Sequence, residues 1–491
     1  MTYSGIPATS FKTASMNYSI PSANITGYGY ENQPYKLSSI FARVNYDYDG
    51  KYMFTGIIRR DGSSHFGSNN LYGYFPSASA GWLISKEGFW KENNIVDMLK
   101  FRAGYGVNGN DNLPPFYYTS VITSLGGYVF GNDQVRSGYG PQSPANPDLK
   151  WEQTSQTNIG IDAILFRNFS ATIELFNKKT TGMLMAVKLP GYVGAAANPY
   201  GNVASMTNNG LEIDLGYHFN VGGVKVDLKG NASYVENKVT DIGSNDYLVN
   251  ATMQASSYEV SRKAVGQPVN EFYGFQTAGI FQTQTEINNY KNSAGTLIQP
   301  NAVPGDFKWV DINGDGVIND KDRTYLGNPT PNLTYGFTIN LAYKDFDLSI
   351  FGQGVSGNKI FQQLRRLDIL TANYQSSALG RWTGAGTSNT YPRLTDNDTN
   401  GNFTKPSNFY LENGAYFRIK NIQLGYNIPK TLLNKVQIDK VRIYASASNL
   451  FTLTKYTGFD PEIGGSQDLY GIDRGVYPQA RSYMLGVDVT F

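Results

Sequence analysis

The sequence predicts an all-β chain, an antiparallel sheet that crosses a membrane as the wall of a barrel. Three observations carry this expectation. Segments of about ten residues alternate strictly between apolar and polar side chains, the length a tilted strand needs to span a bilayer. The connections between them are short on one side and mostly long on the other, the barrel habit. The final segment, residues 482–491, sets Tyr483, Leu485, Val487, Val489 and Phe491 against Met484, Gly486, Asp488 and Thr490. A terminal aromatic on an alternating strand is what the outer-membrane assembly machinery of Gram-negative bacteria reads.

Composition agrees and excludes other classes. The 491 residues suffice for two or three ordinary domains or for one large barrel. Charged residues are only 16%, and Tyr (36) far outnumbers Trp (5). A mean hydropathy of −0.36 suits strands that show lipid only every second residue. No apolar run approaches the ~18 residues of a transmembrane helix. The net charge of +2 gives no reason to expect nucleic acid. Without cysteine there is no thiol catalysis, disulfide or cysteine metal site, and His65 and His218 are too few for most histidine metal chemistry.

In chain order, strands are expected near 38–48, 51–60, 74–84, 97–107, 154–166, 168–179, 208–218, 223–236, 333–344, 346–355, 416–428, 438–449 and 481–491. The first sets Ile40, Ala42, Val44, Tyr46 and Tyr48 against Phe41, Arg43, Asn45 and Asp47. Residues 210–219 set Leu211, Ile213, Leu215, Tyr217 and Phe219 against Glu212, Asp214, Gly216 and His218. Residues 224–235 set Val224, Val226 and Leu228 against Lys225, Asp227 and Lys229, and residues 335–343 set Tyr335, Phe337, Ile339 and Leu341 against Gly336, Thr338 and Asn340. A soluble sandwich would alternate in the same way. Tyr or Phe at the ends of the apolar faces and the uneven connections favour the membrane barrel. The long connections, 61–73, 108–153, 180–207, 237–332, 356–415 and 450–480, would face the exterior.

Thirteen strands is an odd number. The last ends on the short-turn side, so the first begins on the long-loop side, and residues 1–37 are expected as the remnant of an extracellular loop. The two edges of such a sheet would each leave roughly five backbone groups unsatisfied in lipid, at several kcal/mol apiece. With no export signal before residue 38, the expectation is that residues 38–491 are the C-terminal part of a larger barrel.

Residues 38–90 carry S-S-I-F-A-R-V-N-Y-D-Y-D-G-K-Y-M-F-T-G-I-I-R-R-D-G-S-S-H-F-G and then G-Y-F-P-S-A-S-A-G-W-L-I-S-K-E-G-F-W. L-K-F-R-A-G-Y-G-V-N-G-N follows at 99–110, N-P-D-L-K-W-E-Q-T at 146–154 and N-N-G-L-E-I-D-L at 208–215. G-D-F-K-W-V-D-I-N-G-D-G-V-I-N-D-K-D-R at 305–323 and L-G-N-P-T-P-N-L-T-Y-G-F at 326–337 complete the series. In this order they resemble the SusC/RagA family of TonB-dependent outer-membrane transporters of Bacteroidota, from about residue 35 to the end. The resemblance implies a 22-stranded barrel with an N-terminal plug, of which this chain would supply the last thirteen strands. It implies import of oligosaccharides or peptides driven through TonB, which would be contacted by the missing N-terminal region. A SusD-like surface lipoprotein would serve as lid, and outer-membrane lipid would surround the wall. Transport itself requires no cofactor.

The sharpest local motif is D-I-N-G-D-G-V-I-N-D-K-D at 311–322. It fits a twelve-residue calcium loop, with Asp311, Asn313 and Asp315 at positions 1, 3 and 5, Gly316 at the sharp turn, the Val317 carbonyl at 7, Asn319 holding a water at 9 and Asp322 at 12. Asp in place of Glu at the last position is closer to a dockerin-type loop, and the bound Ca2+ would be structural. The plain alternative is a solvated Gly/Asp-rich turn. Phe116, Tyr117, Tyr118, Tyr128 and Phe130 are the candidate substrate contacts, since a pyranose has an apolar face, although loop or lid packing would use the same residues. Arg59, Arg60 and Asp61 are expected as a salt-bridged strand end, and Glu212, Asp214, Lys225, Asp227 and Lys229 as cross-strand pairs stiffening the lumen wall. No catalytic constellation emerges, so the chain is not expected to be an enzyme. The alternative function is a soluble secreted all-β glycan-binding protein with a dockerin-like calcium loop.

Overall fold

The structure, a computed structural model, describes residues 35–491 apart from 92, 114, 121, 132–133, 188, 255, 370, 434–437 and 465–468. Most of the expected remnant 1–37 therefore lies outside the described residues. Thirteen strands form one sheet: β1 (Leu37–Tyr48), β2 (Tyr52–Ser63), β3 (Tyr72–Leu83), β4 (Val96–Asn110), β5 (Glu152–Leu165), β6 (Phe169–Ala186), β7 (Tyr200–Val221), β8 (Val224–Asp241), β9 (Leu333–Tyr343), β10 (Phe346–Ser356), β11 (Tyr416–Asn427), β12 (Lys440–Thr454) and β13 (Ser482–Thr490). Their order in the sheet is their order in the chain, and every neighbouring pair is antiparallel. β1 and β13 are its two edges and do not pair with each other, so the sheet is an open wall.

Local chemistry sets the short side. Asp49 and Gly50 sit at φ 56° and 58°, Phe166 and Arg167 at 52° and 65°, and Gly222 and Gly223 at 56° and 81°. Two successive residues at positive φ make the tight turn whose twist matches a hairpin. Register then fixes the faces, because a slip of one residue would turn every side chain over. The outward face exposes Ile40, Val44, Phe54, Ile159, Leu175, Leu215 and Leu485. Water would penalise so continuous an apolar surface, whereas lipid is its natural solvent.

Two features differ from the sequence expectation. β6 and β7 run 18 and 22 residues, well past the ten or so that cross a bilayer. Backbone pairing continues above the lipid, and there the outward residues turn polar, as in Asn177 and Lys179 paired with Asn209 and Thr207. The long connections are also not open loops. Residues 242–332, 357–415 and 455–481 fold together over one apolar core that includes Phe272, Phe275, Trp309, Phe361, Phe403, Phe409, Tyr410 and Ile472, all nearly or fully buried. Short strands brace it. Leu248–Thr252, Glu259–Lys263, Glu271–Phe275 and Arg323–Gly327 form one sheet, and Lys359–Gln362 joins Leu411–Asn413 and Ile472–Asp473 in another. A smaller cluster of Phe66, Phe75, Leu113, Leu149 and Trp151 pins the loops between β2 and β5.

Removing a ring from the loop core should therefore melt the loops without melting the wall. Phe409→Ala or Trp309→Ala is expected to destabilise the loop body by about 3–5 kcal/mol. Protease should then cut within 242–332 and 357–415, while the heat-modifiable gel mobility of the barrel persists.

Candidate functional site

The inner face of the wall and the loop body above it form the candidate site. Two arginines organise the inner face. Arg102 on β4 donates to Asp162 on β5 (3.2 Å) and to Glu174 on β6, and Glu174 also accepts from Asn158. Arg102 reaches across because Gly160 lies between; a Cβ there would sit 2.9 Å from the guanidinium carbon. Arg442 on β12 repeats the device, donating to Asp347 on β10 (2.6 and 2.9 Å) and Asp488 on β13 (3.3 Å) across Gly425. Each arginine thus ties three strands, Arg102 at mid-wall and Arg442 near the short-turn end.

The polar residues expected to line the lumen are less coupled. Lys229 pairs with Asp227 of its own strand (3.7 Å), Asp227 accepts from Asn340 of β9 (3.3 Å) and Glu212 accepts from Ser233 (3.3 Å). Asp214 and Lys225 make no ion pair among the described residues. Arg59 and Asp61 form the expected strand-end pair at 2.7 Å, whereas Arg60 points to the opposite face.

Higher up, Arg418 on β11 is 2% exposed and donates to Asp460 (2.6 Å), Glu462 (2.8 Å) and Thr452 (2.8 Å), fastening the 455–481 connection to the wall. Inside the loop body the fully buried Asp306 accepts from Arg393 (2.6 Å) and Asn402 (2.8 Å), joining two loops. In the four-stranded loop sheet, Glu259 takes both Arg262 (2.7 Å) and Arg323 (2.5 Å), and the Arg262 guanidinium lies 3.2 Å from the Tyr273 ring. Glu271 stands opposite Arg262 in the register, yet its Oε2 is buried without a partner. Burial pushes its carboxyl up to about 7.

The aromatic candidates have separate fates. Tyr117 meets Tyr200 edge-on at 4.8 Å, and Tyr118 packs against the Phe66–Trp151 cluster. Phe116 stays exposed at φ 65°, and Tyr128 is exposed on a hairpin of Ile122–Phe130 and Gln134–Pro141. The side chain of Phe130 lies outside the description. In the 311–322 loop, Asp311 accepts from the Gly314 and Gly316 N–H groups (2.8 Å each). Asp315 accepts from Val317 N–H (3.0 Å) and the Asn313 amide (2.9 Å). Asp322 is fully buried and accepts from Ile312 and Asn319 N–H groups (2.9 and 2.8 Å). Gly316 has φ 81°, the sharp turn expected of it. Among the described residues, no three acidic or histidine side chains converge closely enough to hold a metal.

The family described as "TonB dependent receptor-like, beta-barrel" matches residues 3–300. The curated TonB-dependent receptor P3 of Formosa agariphila is 32% identical, over 93% of this chain and 46% of its own length. The TonB-dependent receptor SusC of Bacteroides thetaiotaomicron is 30% identical, over 93% of this chain and 44% of its own length. Among solved structures, the RagAB peptide transporter superposes with a TM-score of 0.77 at 26% identity, covering 93% of this chain and 47% of that one. The chain spans about half the length of the curated relatives it matches.

The Glu271 carboxyl gives a pH dependence of known sign. Its pKa is 4.5 in an unfolded chain and about 7 when folded, so the folded loop sheet binds the extra proton. That stability is fully present below about pH 4.5 and lost as pH rises through about 7. The loop body should resist protease better at about pH 6 than at about pH 8, and Glu271→Gln should flatten the difference.

Proposed function

We propose that this chain, which belongs to the TonB-dependent receptor-like β-barrel family and is of the SusC/RagA type, is the wall and extracellular vestibule of an outer-membrane importer of oligosaccharides or peptides. It is an outer-membrane protein of a Gram-negative bacterium, and the proteins it resembles are receptors and transporters, not enzymes. The observation that carries the proposal is the open thirteen-stranded wall, apolar outside, polar inside and roofed by a packed loop body. The soluble glycan-binding alternative finds no support. Its apolar strand faces would need a dry core, and here they point outward and exposed.

In this reading, strands from elsewhere in the same protein close the sheet into a 22-stranded barrel around a plug that TonB moves. A SusD-like lipoprotein caps the loop body, and ligand is captured between the two. The chain's own contribution is a fixed frame. Arg102 and Arg442 lock neighbouring strands, so the wall does not yield when a plug shifts within it. Arg418 and Asp306 hold the loops in place, which lowers the entropy lost on capture. Exposed Phe116 and Tyr128 offer ring faces to a sugar or an apolar peptide side chain. One relative bears the name SusC and the solved neighbour is titled a peptide transporter, so both ligand classes belong to the proposal.

The 311–322 loop belongs to the proposal as a structural calcium site. Its donors are all oxygen, the type calcium takes. Asp311, Asn313, Asp315 and the Val317 carbonyl would hold the ion, and Asp322 would have to share its oxygens between the loop backbone and the metal. About 1 mM calcium should raise the protease resistance of the loop body, and Asp311→Ala with Asp315→Ala should abolish that gain. Equal resistance with calcium and with chelator would remove the metal from the account.

The function is tested by deleting the gene and supplying defined oligosaccharides or peptides as sole carbon source. Growth should fail on one class and return with the intact gene but not with a Phe116→Ala, Tyr128→Ala double variant that still reaches the membrane. Unchanged growth on every oligomer tried would contradict import.

A further inference from the structure

On the outward side, each strand's apolar column stops at a definable level. It ends at Ile58 on β2, Ile159 on β5 and Leu175 on β6, and polar residues follow. Above that level lies a groove of about 440 Å³, whose lining includes Tyr72, Tyr74, Lys150, Gln153, Thr181 and Asn202. Gln153 and Thr181 are paired in register, six residues beyond Ile159 and Leu175. At about 3.3 Å per residue that is roughly 20 Å along a tilted strand. The groove's lower edge is at Arg60, one outward position beyond Ile58, which is headgroup depth just above the acyl chains. Tyr72, Tyr74, Gln153 and Thr181 belong to the outward-facing set of their strands, not to the lumen-facing one.

Its chemistry is unlike that of the inner wall. Arg102, Arg418 and Arg442 inside are each neutralised by carboxylates. Arg60, at the edge of the groove, lies 3.7 Å from the Tyr72 ring centroid and 6.0 Å from that of Tyr74. It has no ion pair or hydrogen bond among the described residues, and its Nε is buried without a partner. The ammonium groups of Lys150 and of Lys179 on the neighbouring outward surface likewise have no acidic partner among the described residues. The Asp241 carboxylate, also in the lining, accepts from the Gly243 N–H at 2.9 Å. Tyr72 and Tyr74 are about half exposed. Exposed aromatic faces suit sugar rings, and uncompensated cations suit phosphate.

We propose that this groove binds the phosphorylated sugar headgroup of an outer-leaflet glycolipid, with Arg60 and Lys150 toward phosphate and Tyr72 and Tyr74 against the sugar rings. Such a lipid anchors the wall at a fixed depth and seats it beside its neighbours in the leaflet. No part of this depends on which ligand is imported.

The test isolates the protein from outer membranes in mild detergent and measures bound phosphorylated glycolipid by mass spectrometry. Arg60→Ala with Lys150→Ala should lower retention about tenfold or more, the scale expected for two headgroup-facing cations. Lys430→Ala, in the short helix Lys430–Leu433 on the opposite side of the membrane, should leave retention unchanged. Delipidated protein should bind purified lipid A more tightly than its dephosphorylated form. Heat-modifiable mobility checks that each variant is folded. Equal retention by wild type and double variant, or loss of a co-purifying surface lipoprotein in place of lipid, would overturn the proposal.

Discussion

The constraint on which everything else depends is that a peptide group in hydrocarbon has no water to bond. Each unpaired N–H or C=O there is penalised by several kcal/mol. Within the sheet the demand is met strand by strand, from the Leu37–Ser63 pair at one end to the Lys440–Thr490 pair at the other. It is not met at the outer edges of β1 and β13, where pairing stops. The apolar outward face commits those edges to lipid. In the proposed reading further strands continue the sheet beyond those edges, and the import proposal rests on that continuation.

A wall held by backbone bonds alone could still shear. The two inner arginines oppose this by bridging strands that do not touch, and they do so through glycine. Gly160 and Gly425 remove the side chains that would stand between Arg102 and Glu174, or between Arg442 and Asp347. Above the lipid the logic changes to that of a soluble protein. Trp309, Phe403 and Phe409 build a dry core, and Asp306 and Glu259 bind their arginines within it. The loop body thus gains rigidity from three connections that are far apart in sequence.

Much of the wall was legible because period two is a local signal. The Ile40–Tyr48 and Leu211–Phe219 alternations locate strands and faces without any long-range knowledge. The long-loop-side extensions of β6 and β7 were not legible, since beyond Leu175 the outward positions hold Asn177 and Lys179 and the apolar rhythm ends. The loop core was hidden for a different reason. Its apolar residues show no period, and Phe307 meets Phe409 only after the chain has run through β9 and β10. The Arg102–Glu174 pair joins residues 72 apart and follows from register, which sequence alone does not fix. Of the aromatic candidates, composition alone could not separate the exposed Phe116 and Tyr128 from the packed Tyr117 and Tyr118.

The central claim, that strands outside this chain complete the barrel, is tested most directly by the size of the native product. Outer membranes from the source cells would be probed with an antibody raised to residues 356–415. The account predicts a band at about twice the 54.2 kDa of this chain, as its coverage of about half of each relative implies. A single band at 54.2 kDa, with no larger species, would contradict it.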